Sequence, residues 1–289
     1  MLQEKLKGTG VALVTPFNKD LTIDFQGLKK VLEHVSTGKV DYLVVLGSTG
    51  EAATIDWDEK LKILEFIISN NIKKLPVVMG LGGNNTVAME REVQALADYP
   101  IDAILTSSPH YNKPSQKGII AHYQRFAETS KFPVILYNVP SRTGSNMTSE
   151  TTIELSKHPN IIGIKEASGD LNQCAKIVAN TADDFMLISG DDGLTFPMIS
   201  LGAHGVISVI ANLFPAEFSE MVKVALAGNT GQAMKLNQKL ITSYELVSLE
   251  GNPVSLKVGM KAYGIIDDCV RLPLVSGSAE LFEKFKKNA

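Results

Sequence analysis

Short apolar runs alternate along the chain with longer stretches in which apolar residues recur at helical spacing. The runs are rich in Val, Ile and Leu and are continuous, which is typical of parallel strands buried on both faces. They predict eight strands, at Gly10–Thr15, Tyr42–Leu46, Val77–Gly80, Ala103–Ser107, Val134–Asn138, Ile161–Lys165, Met186–Ser189 and Gly205–Val209.

The stretches between the runs predict amphipathic helices, because their apolar residues fall on one face at a period of about 3.6 residues. Asp24, Asp56 and Asp170 stand just before three of these stretches. Their carboxylates can accept hydrogen bonds from the unpaired N–H groups of a first helical turn. The predicted helices include Phe25–Ser36, Trp57–Asn70, Val87–Leu96, Lys117–Ser130 and Leu171–Asn180.

Eight strand–helix units in series predict an α/β fold, a (β/α)8 TIM barrel with a C-terminal helical extension. A break at 228–231 divides the chain into a catalytic barrel over 1–227 and a helical domain over 228–289. A doubly wound open sheet is the alternative. It is disfavoured because no G-x-G-x-x-G follows the first strand, and the glycine-rich Gly80–Gly83 follows the third strand with no matching acid downstream.

Composition describes an ordinary globular protein and argues against several classes. The chain has 289 residues, of which 44% are hydrophobic and 20% charged, with a formal net charge of -3. Without a basic excess, a nucleic-acid-binding protein is disfavoured. No apolar run approaches the ~18 residues of a membrane span and no signal core begins the chain, so we expect a cytoplasmic protein. Cys174 and Cys269 make neither a disulfide framework nor a CxxC pair.

Polar side chains gather where five of the predicted strands end. In a barrel, chemistry takes place at the carboxyl ends of the strands and in the loops that follow them. These positions carry hydroxyls, a lysine and an arginine, so they predict a single site on one rim. The segments are Gly47-Ser48-Thr49-Gly50-Glu51, Pro109-His110-Tyr111-Asn112, Tyr137–Gly144, Lys165-Glu166 and Gly190-Asp191-Asp192.

Lys165 follows the apolar run Ile161–Ile164 at the end of the sixth predicted strand. Burial there would disfavour the ammonium form and lower the pKa of Lys165, and the neutral amine is the form that makes a Schiff base with a carbonyl. A structural lysine that snorkels, or that pairs with Glu51 or Glu166, is the alternative. Tyr137 on the neighbouring strand favours catalysis, since imine formation needs proton transfers. Taken alone, Tyr137 would be a core aromatic residue.

Two further features suit a small carboxylate. The glycines of the Gly47–Glu51 loop let backbone N–H groups approach an anion, beside the hydroxyls of Ser48 and Thr49. A turn that leads into the next helix is an equally good interpretation of that loop. Arg142 follows a proline turn and has the planar fork for bidentate carboxylate binding, although a surface ion pair is the better interpretation of an isolated arginine.

No metal site is expected. Asp191 and Asp192 could bind a cation, but adjacent acids at a strand end more often cap a helix. Trp57, at a helix start, fits either the core or a subunit contact. The histidines show no ligand spacing and none pairs with a cysteine; they are His34, His110, His122, His158 and His204.

Three segments together resemble the pyruvate-dependent class I aldolase superfamily, which contains the dihydrodipicolinate synthases and the N-acetylneuraminate lyases. The resemblance covers essentially the whole chain, from Gly8 to Leu274, and Arg142 points to the synthase branch because sialic acid lyases lack it. The segments are Gly47-Ser48-Thr49-Gly50-Glu51, Tyr137-Asn138-Val139-Pro140-Ser141-Arg142-Thr143-Gly144 and Gly163-Ile164-Lys165-Glu166-Ala167; His110–Ser115, Ser189–Asp192, Gly205–Ser208 and Asn252-Pro253 also resemble the synthases.

The resemblance implies a lyase in which Lys165 forms an imine with pyruvate. It further implies a proton relay of Tyr137, Thr49 and Tyr111, with Tyr111 inserted from a neighbouring subunit. Because members of the family usually form tetramers built from two dimers and need no cofactor, the resemblance implies a homotetramer, a dimer of dimers, without a cofactor. The implied product is 4-hydroxy-tetrahydrodipicolinate, on the path to diaminopimelate and lysine.

The same resemblance implies how the two substrates bind. Pyruvate would be held by Ser48, Thr49, Gly190 and the backbone of Ile207, and Arg142 would bind the carboxylate of L-aspartate semialdehyde. Two other functions stay open beside this one. The first is an N-acetylneuraminate lyase or keto-sugar-acid aldolase that uses the same lysine. The second is a barrel that binds small carboxylates without catalysis, since a fold alone does not prove a function.

The chain departs from the family pattern in places. Ser48 stands where threonine is more common and keeps the hydroxyl. In lysine-inhibited relatives an allosteric pocket occupies positions that here read Trp57, Lys60, Asn84, Ala88 and His110. Ala88 replaces the glutamate that would pair with the ammonium of lysine, and Lys60 adds a like charge. We therefore expect weak or absent inhibition by lysine.

Overall fold

The computed structural model describes residues 2–288 and contains a closed barrel of parallel strands, which confirms the predicted (β/α)8 fold. The strands follow one another around the barrel in chain order, and the first pairs with the last. They are β1 (Gly8–Ala12), β2 (Tyr42–Val45), β3 (Val77–Gly80), β4 (Ala103–Ser107), β5 (Val134–Asn138), β6 (Ile161–Glu166), β7 (Met186–Ser189) and β8 (Gly205–Ser208).

Helices surround the barrel and continue beyond it. Asp24 and Asp170 cap two of them as predicted, since Asp24 Oδ1 accepts from the Gly27 N–H at 2.8 Å and Asp170 Oδ1 accepts from the Asn172 N–H at 2.8 Å. The helices are α1 (Leu2–Lys5), α2 (Phe25–Thr37), α3 (Trp57–Asn70), α4 (Thr86–Ala95), α5 (Gln116–Thr129), α6 (Pro140–Thr143), α7 (Ser149–Leu155), α8 (Leu171–Asn180), α9 (Thr195–Ser200), α10 (Pro215–Leu226), α11 (Thr230–Ser248), α12 (Val254–Ala262) and α13 (Ala279–Lys287).

The apolar interior has two layers. One fills the barrel, where Tyr42 and Ile207 are fully buried and Leu6 packs in the same cluster. A Cβ on Gly10 would lie 2.2 Å from the ring of Tyr42, so the tyrosine occupies space that only a glycine leaves free. The second layer lies between the strands and the helices, and half-buried Trp57 packs against it. Trp57 thus contributes to the core.

The predicted first strand, Gly10–Thr15, is displaced from the observed β1. The run Leu13–Thr15 is buried beyond the end of β1: the Leu13 N–H still donates to the Val44 carbonyl at 2.9 Å, whereas the Val14 N–H donates to Asn212 Oδ1 at 3.1 Å. Pairing instead starts at Gly8, whose carbonyl oxygen lies 2.0 Å from where a Cβ on Gly205 would stand. The apolar pattern indicates which residues are buried. Which residues pair depends instead on the close approach of the Gly8 and Gly205 backbones.

The last part of the described chain is helical, as expected. α11 packs against α10 and α12, and α12 packs against α13. The division into domains at 228 stays a prediction, and Met1 and Ala289 at its outer limits lie outside the described residues. Within residues 2–288 there is no helix of the length and apolarity needed to cross a membrane.

Candidate active site

Lys165 and Tyr137 are register partners on β6 and β5, near the carboxyl ends of the strands. Lys165 is 5% exposed, and its Nζ lies 4.4 Å from the ring centroid of Tyr137. On its other side Lys165 is the register partner of Ile188, which belongs to the apolar cluster inside the barrel. The amine therefore lies at the top of an apolar interior, against an aromatic face.

Neither carboxylate that could have paired with Lys165 does so. Glu51 Oε1 accepts a hydrogen bond from Lys257 Nζ at 2.5 Å. Glu166 accepts from Gln173 Nε2 at 2.9 Å and from Asn138 Nδ2 at 3.0 Å. Among residues 2–288, no carboxylate oxygen lies within 4.0 Å of Lys165 Nζ. The structural interpretation of Lys165 as one half of an ion pair is wrong.

Asn138 and Glu166 fasten the ends of β5 and β6 together. They form the register pair immediately after that of Tyr137 and Lys165, and Asn138 Nδ2 donates to both carboxylate oxygens of Glu166, at 3.2 and 3.0 Å. Both residues are at most 1% exposed. These hydrogen bonds hold together the two strands that carry Lys165 and Tyr137. No spacing in the sequence predicts the contact between Asn138 and Glu166.

Gly190 brings its backbone against the lysine side chain. A Cβ at this position would lie 3.1 Å from Lys165 Cε and 2.7 Å from the Cβ of Ala167. Gly190 follows β7, and its N–H donates to the Glu166 carbonyl at 2.8 Å. The predicted site residue is therefore adjacent to the amine, at a place that a larger side chain would fill.

The loop after β2 contains one buried and one exposed hydroxyl residue. Thr49 is 3% exposed, whereas Ser48 is exposed. The loop is a turn, because the N–H groups of Gly50 and Glu51 donate to the Gly47 and Ser48 carbonyls, each at 3.1 Å. The N–H groups of Ser48 and Thr49 themselves have no hydrogen-bond acceptor within residues 2–288. The turn thus leaves the N–H groups of Ser48 and Thr49 and the Ser48 hydroxyl for a ligand.

Arg142 lies in the short helix α6, and its side chain is exposed. Its Nη2 donates to the backbone carbonyl of Asn252 at 3.0 Å, and no carboxylate within residues 2–288 forms an ion pair with it. Asn252 also donates from Nδ2 to Thr49 Oγ1 at 3.0 Å. The surface ion pair considered for Arg142 is therefore wrong, and Asn252 links Arg142 to Thr49.

The two adjacent acids after β7 have different tasks. Asp191 Oδ1 accepts from the Gly193 N–H at 2.9 Å, a contact within the loop, and the N-cap of α9 is Leu194 with no side-chain hydrogen bond, so the predicted helix cap is wrong. Asp192 instead accepts from the N–H groups of Val209 and Ile210, at 3.1 and 2.8 Å, and so holds the chain just beyond β8. Burial raises the pKa of the Asp192 carboxyl to about 6. Ile207, two residues before Val209, is 1% exposed within β8.

The loop after β4 projects its aromatic side chain into solvent. Tyr111 is 87% exposed and has a φ of +69°. Near it, Asn84 Nδ2 donates to the His110 carbonyl at 3.4 Å, and Asn112 Nδ2 donates to the Asn84 carbonyl at 3.2 Å. Asn84 and His110 are thus neighbours. Of the other positions compared with an allosteric pocket, Trp57 and Lys60 lie in the first turn of α3, and Ala88 lies in α4.

The described residues contain no group of three or more His, Cys, Asp or Glu side chains arranged to hold a metal ion. The histidines predicted to be non-ligands are dispersed. His34 Nε2 contacts the Leu213 carbonyl at 3.1 Å, and His122 Nδ1 contacts Thr86 Oγ1 at 2.8 Å. Burial lowers the pKa of His122 to about 4. These contacts give His34 and His122 structural roles.

Comparison with known proteins decides the family. A model of the dihydrodipicolinate synthetase family matches residues 5–289. The chain belongs to this family. A 4-hydroxy-tetrahydrodipicolinate synthase of Flavobacterium psychrophilum is 48% identical to it over 275 residues, which are 95% of this chain and 94% of the relative. The resemblance seen in the sequence is confirmed, and the chain is an enzyme.

Solved structures of dihydrodipicolinate synthases have the same fold. The Thermotoga maritima enzyme superposes with a TM-score of 0.94 at 33% identity, and the match covers 97% of this chain and 96% of that one. A chloride-inhibited enzyme of Acinetobacter baumannii, crystallised with pyruvate, gives a TM-score of 0.94 at 36% identity, with 97% of each chain covered. The match to each of these synthases extends over both the barrel and the C-terminal helices.

Proposed function

We propose that this dihydrodipicolinate synthetase family member is a 4-hydroxy-tetrahydrodipicolinate synthase that condenses pyruvate with L-aspartate semialdehyde through a Schiff base on Lys165. The observation that carries the proposal is the amine of Lys165, buried, free of any carboxylate within 4.0 Å among residues 2–288, and 4.4 Å from the ring centroid of Tyr137. Its pyruvate-bound relative from Acinetobacter baumannii supports the first substrate.

The reaction begins at the ketone of pyruvate. The Lys165 amine adds to this carbon and water leaves, which gives an iminium ion. The iminium withdraws electrons from the adjacent methyl group, so that loss of one methyl proton yields an enamine. The enamine carbon attacks the aldehyde carbon of the second substrate, a C–C bond forms, and the aldehyde oxygen takes up a proton. The amino group of that substrate then displaces Lys165, which closes the ring and restores the free amine.

Proton transfers at each step require a donor and acceptor near Lys165 Nζ. We assign this task to Tyr137, whose ring lies beside the amine, together with Thr49 and Tyr111. Thr49 is buried in the turn after β2, where its hydroxyl can receive and pass on a proton. Tyr111 is 87% exposed and belongs in this proposal to the site of a neighbouring subunit.

Carboxylate binding defines the two substrate subsites. We assign pyruvate to the turn after β2, where the Ser48 hydroxyl and the N–H groups of Ser48 and Thr49 can donate to its carboxylate, and to the backbone at Gly190 and Ile207. We assign the carboxylate of L-aspartate semialdehyde to Arg142, whose guanidinium has no carboxylate partner in residues 2–288. Two fixed subsites hold the two small substrates in reacting positions, and such positioning contributes strongly to the rate of condensation.

The proposal includes an assembly and a role in the cell. A homotetramer, a dimer of dimers, would give exposed Tyr111 its partner site. The chain would act in the cytoplasm, in the biosynthesis of diaminopimelate and lysine, without a cofactor. Sedimentation at micromolar protein tests the assembly, since wild-type protein should form tetramers. A tetramer in which Tyr111→Phe retains full activity would contradict the role of Tyr111.

A substrate comparison tests the function itself. Pyruvate with L-aspartate semialdehyde should be turned over, whereas pyruvate with N-acetylmannosamine should not. Arg142→Ala should raise the KM for the semialdehyde and leave the KM for pyruvate nearly unchanged, because each carboxylate has its own subsite. Lys131→Ala, which replaces a cation in the loop before β5, is the matched control and should behave as wild type. Preferential turnover of the sugar substrate would contradict the proposal.

A further inference from the structure

Asn252 is the only residue that contacts both Thr49 and Arg142 by hydrogen bonds within the described chain. Its Nδ2 donates to Thr49 Oγ1, and its backbone carbonyl accepts from Arg142 Nη2, each at 3.0 Å. We propose that Asn252 is a positioning residue: its side chain sets the direction in which the Thr49 hydroxyl donates, and its backbone holds the Arg142 guanidinium. This inference rests on the proposed function.

The side chain acts through the chemistry of the amide. An amide nitrogen only donates, so Thr49 Oγ1 must accept from Asn252. The single proton of the Thr49 hydroxyl is then available for a different acceptor, and in the relay that acceptor is Tyr137. A residue that could only accept at position 252 would draw the Thr49 proton toward itself and away from the relay.

A buried ion pair fixes Asn252 relative to Thr49. Asn252 stands just before α12, and Lys257 on that helix donates to Glu51 of the Thr49 turn at 2.5 Å. The side chains of Lys257 and Glu51 are 0% and 1% exposed. Lys257 Nζ also donates to the Cys269 carbonyl at 2.8 Å. The ion pair thus joins α12 to the turn after β2. It thereby fixes the donor, Asn252, and the acceptor, Thr49, relative to each other.

The two contacts of Asn252 come from different atoms, which separates their effects. Replacing the side chain removes the donor to Thr49 and keeps the backbone carbonyl that Arg142 uses. Asn252→Ala should therefore slow imine formation with pyruvate by about 10- to 100-fold, the size of effect expected when a reacting group loses its orientation. The KM for L-aspartate semialdehyde should change by less than about threefold. A general loosening of the site would raise that KM as well.

The test measures the rate of imine formation, by rapid mixing with pyruvate and quenching with borohydride, in Asn252→Ala and Asn252→Asp. Aspartate has nearly the shape of asparagine and cannot donate, so it should also be slow. In a Thr49→Val background, Asn252→Ala should cause no further loss, because the hydroxyl it orients is gone. Asn229→Ala, which removes the cap of α11 (Asn229 Oδ1 accepts from the Gln232 N–H at 3.3 Å), is the control and should react as wild type.

Wild-type speed in Asn252→Asp, or losses that multiply in the double variant, would overturn the positioning role. If the proposed function itself is wrong, wild type and Asn229→Ala will both give no adduct with pyruvate. That result is distinct from one in which only the Asn252 variants react abnormally. A circular dichroism spectrum equal to that of wild type accompanies each variant, and Asn252→Asp keeps the test valid if the alanine variant does not fold.

Discussion

The amine nitrogen of Lys165 lies 4.4 Å from the ring centroid of Tyr137, and the two residues are register partners on adjacent parallel strands. The relationship is made by the barrel itself, since neither residue depends on a loop for its place. The next register pair, Asn138 and Glu166, ties the same strand ends by hydrogen bonds at 3.2 and 3.0 Å. The barrel thereby holds a nucleophile and a phenol together before any substrate binds.

Removing the Tyr137 hydroxyl should slow the reaction without unfolding the site. We expect Tyr137→Phe to lower kcat by about 10²- to 10⁴-fold, the usual contribution of a positioned proton carrier, while the ring stays beside the lysine. Steady-state kinetics with both substrates measure the loss. Tyr99→Phe is the matched control, because that hydroxyl donates to Glu65 Oε1 at 3.0 Å on an exposed surface. Equal kcat values for the two variants would contradict the role of Tyr137.

A methyl group at Gly190 should disable the site. In Gly190→Ala the new Cβ would lie 2.7 Å from Ala167 Cβ and 3.1 Å from Lys165 Cε, so the lysine or the strand ends must move. We expect loss of at least about 100-fold in kcat, since small misplacements at a reacting group have effects of that size. In the control Gly193→Ala, the nearest atom lies at 3.5 Å, an ordinary contact, and activity should persist. A fully active Gly190→Ala would show that the lysine can move freely.

The Asp192 carboxyl should make stability depend on pH in an unusual direction. Burial raises the pKa of Asp192 from 3.8 to about 6, so between these values the folded protein holds a proton that the unfolded chain has lost. Stability from this group is complete below pH 4 and declines as the pH rises to 6, by up to about 3 kcal/mol. Asp192→Asn stays neutral and keeps an oxygen for the Val209 and Ile210 N–H groups.

The difference in thermal midpoint between Asp192→Asn and wild type measures this effect at fixed protein concentration. It should increase in favour of the variant from pH 4 to pH 6 and stay constant above that range. A comparison of the two proteins at each pH cancels the opposite contribution of His122, whose pKa burial lowers to about 4. A difference that does not vary with pH would contradict the assigned ionisation.

Inhibition by lysine should be weak or absent. Asn84 and His110 are neighbours, but Ala88 offers no carboxylate for the ammonium of lysine, and Lys60 carries a charge of the same sign. Turnover should be unchanged at submillimolar lysine. Adding Lys60→Ala and Ala88→Glu together should restore sensitivity, whereas Lys62→Ala with Glu92→Ala, a change of neighbouring charges on the same two helices, should not. Strong inhibition of the wild-type protein would contradict this prediction.

Much of the barrel could be predicted because a strand buried on both faces is a continuous apolar run. The bounds predicted for β3, β4, β5 and β7 agree with the structure, and α3 and α8 also begin and end where predicted. The first strand failed for a physical reason. Its apolar run continues into Leu13–Thr15, which is buried beyond the end of β1, and pairing begins at glycines that carry no apolar signal.

The site could be predicted where its residues end strands, and not where they meet across the chain. Lys165 and Tyr137 follow from strand register, which the apolar runs reveal. The contact of Asn252 with Thr49 joins residues 203 positions apart, and the Asp192 contacts with Val209 and Ile210 depend on how two loops fold together. Such contacts have no spacing in the sequence, because long-range packing alone creates them.

Trapping the imine with borohydride shows which lysine is the nucleophile. The protein is incubated with pyruvate, reduced with borohydride, digested, and its peptides are analysed by mass spectrometry. We expect one stable adduct, on Lys165, that disappears in Lys165→Arg and persists in the control Lys131→Arg, which changes an exposed lysine in the loop before β5. An adduct on another lysine, or none in a protein that turns over both substrates, would contradict this expectation.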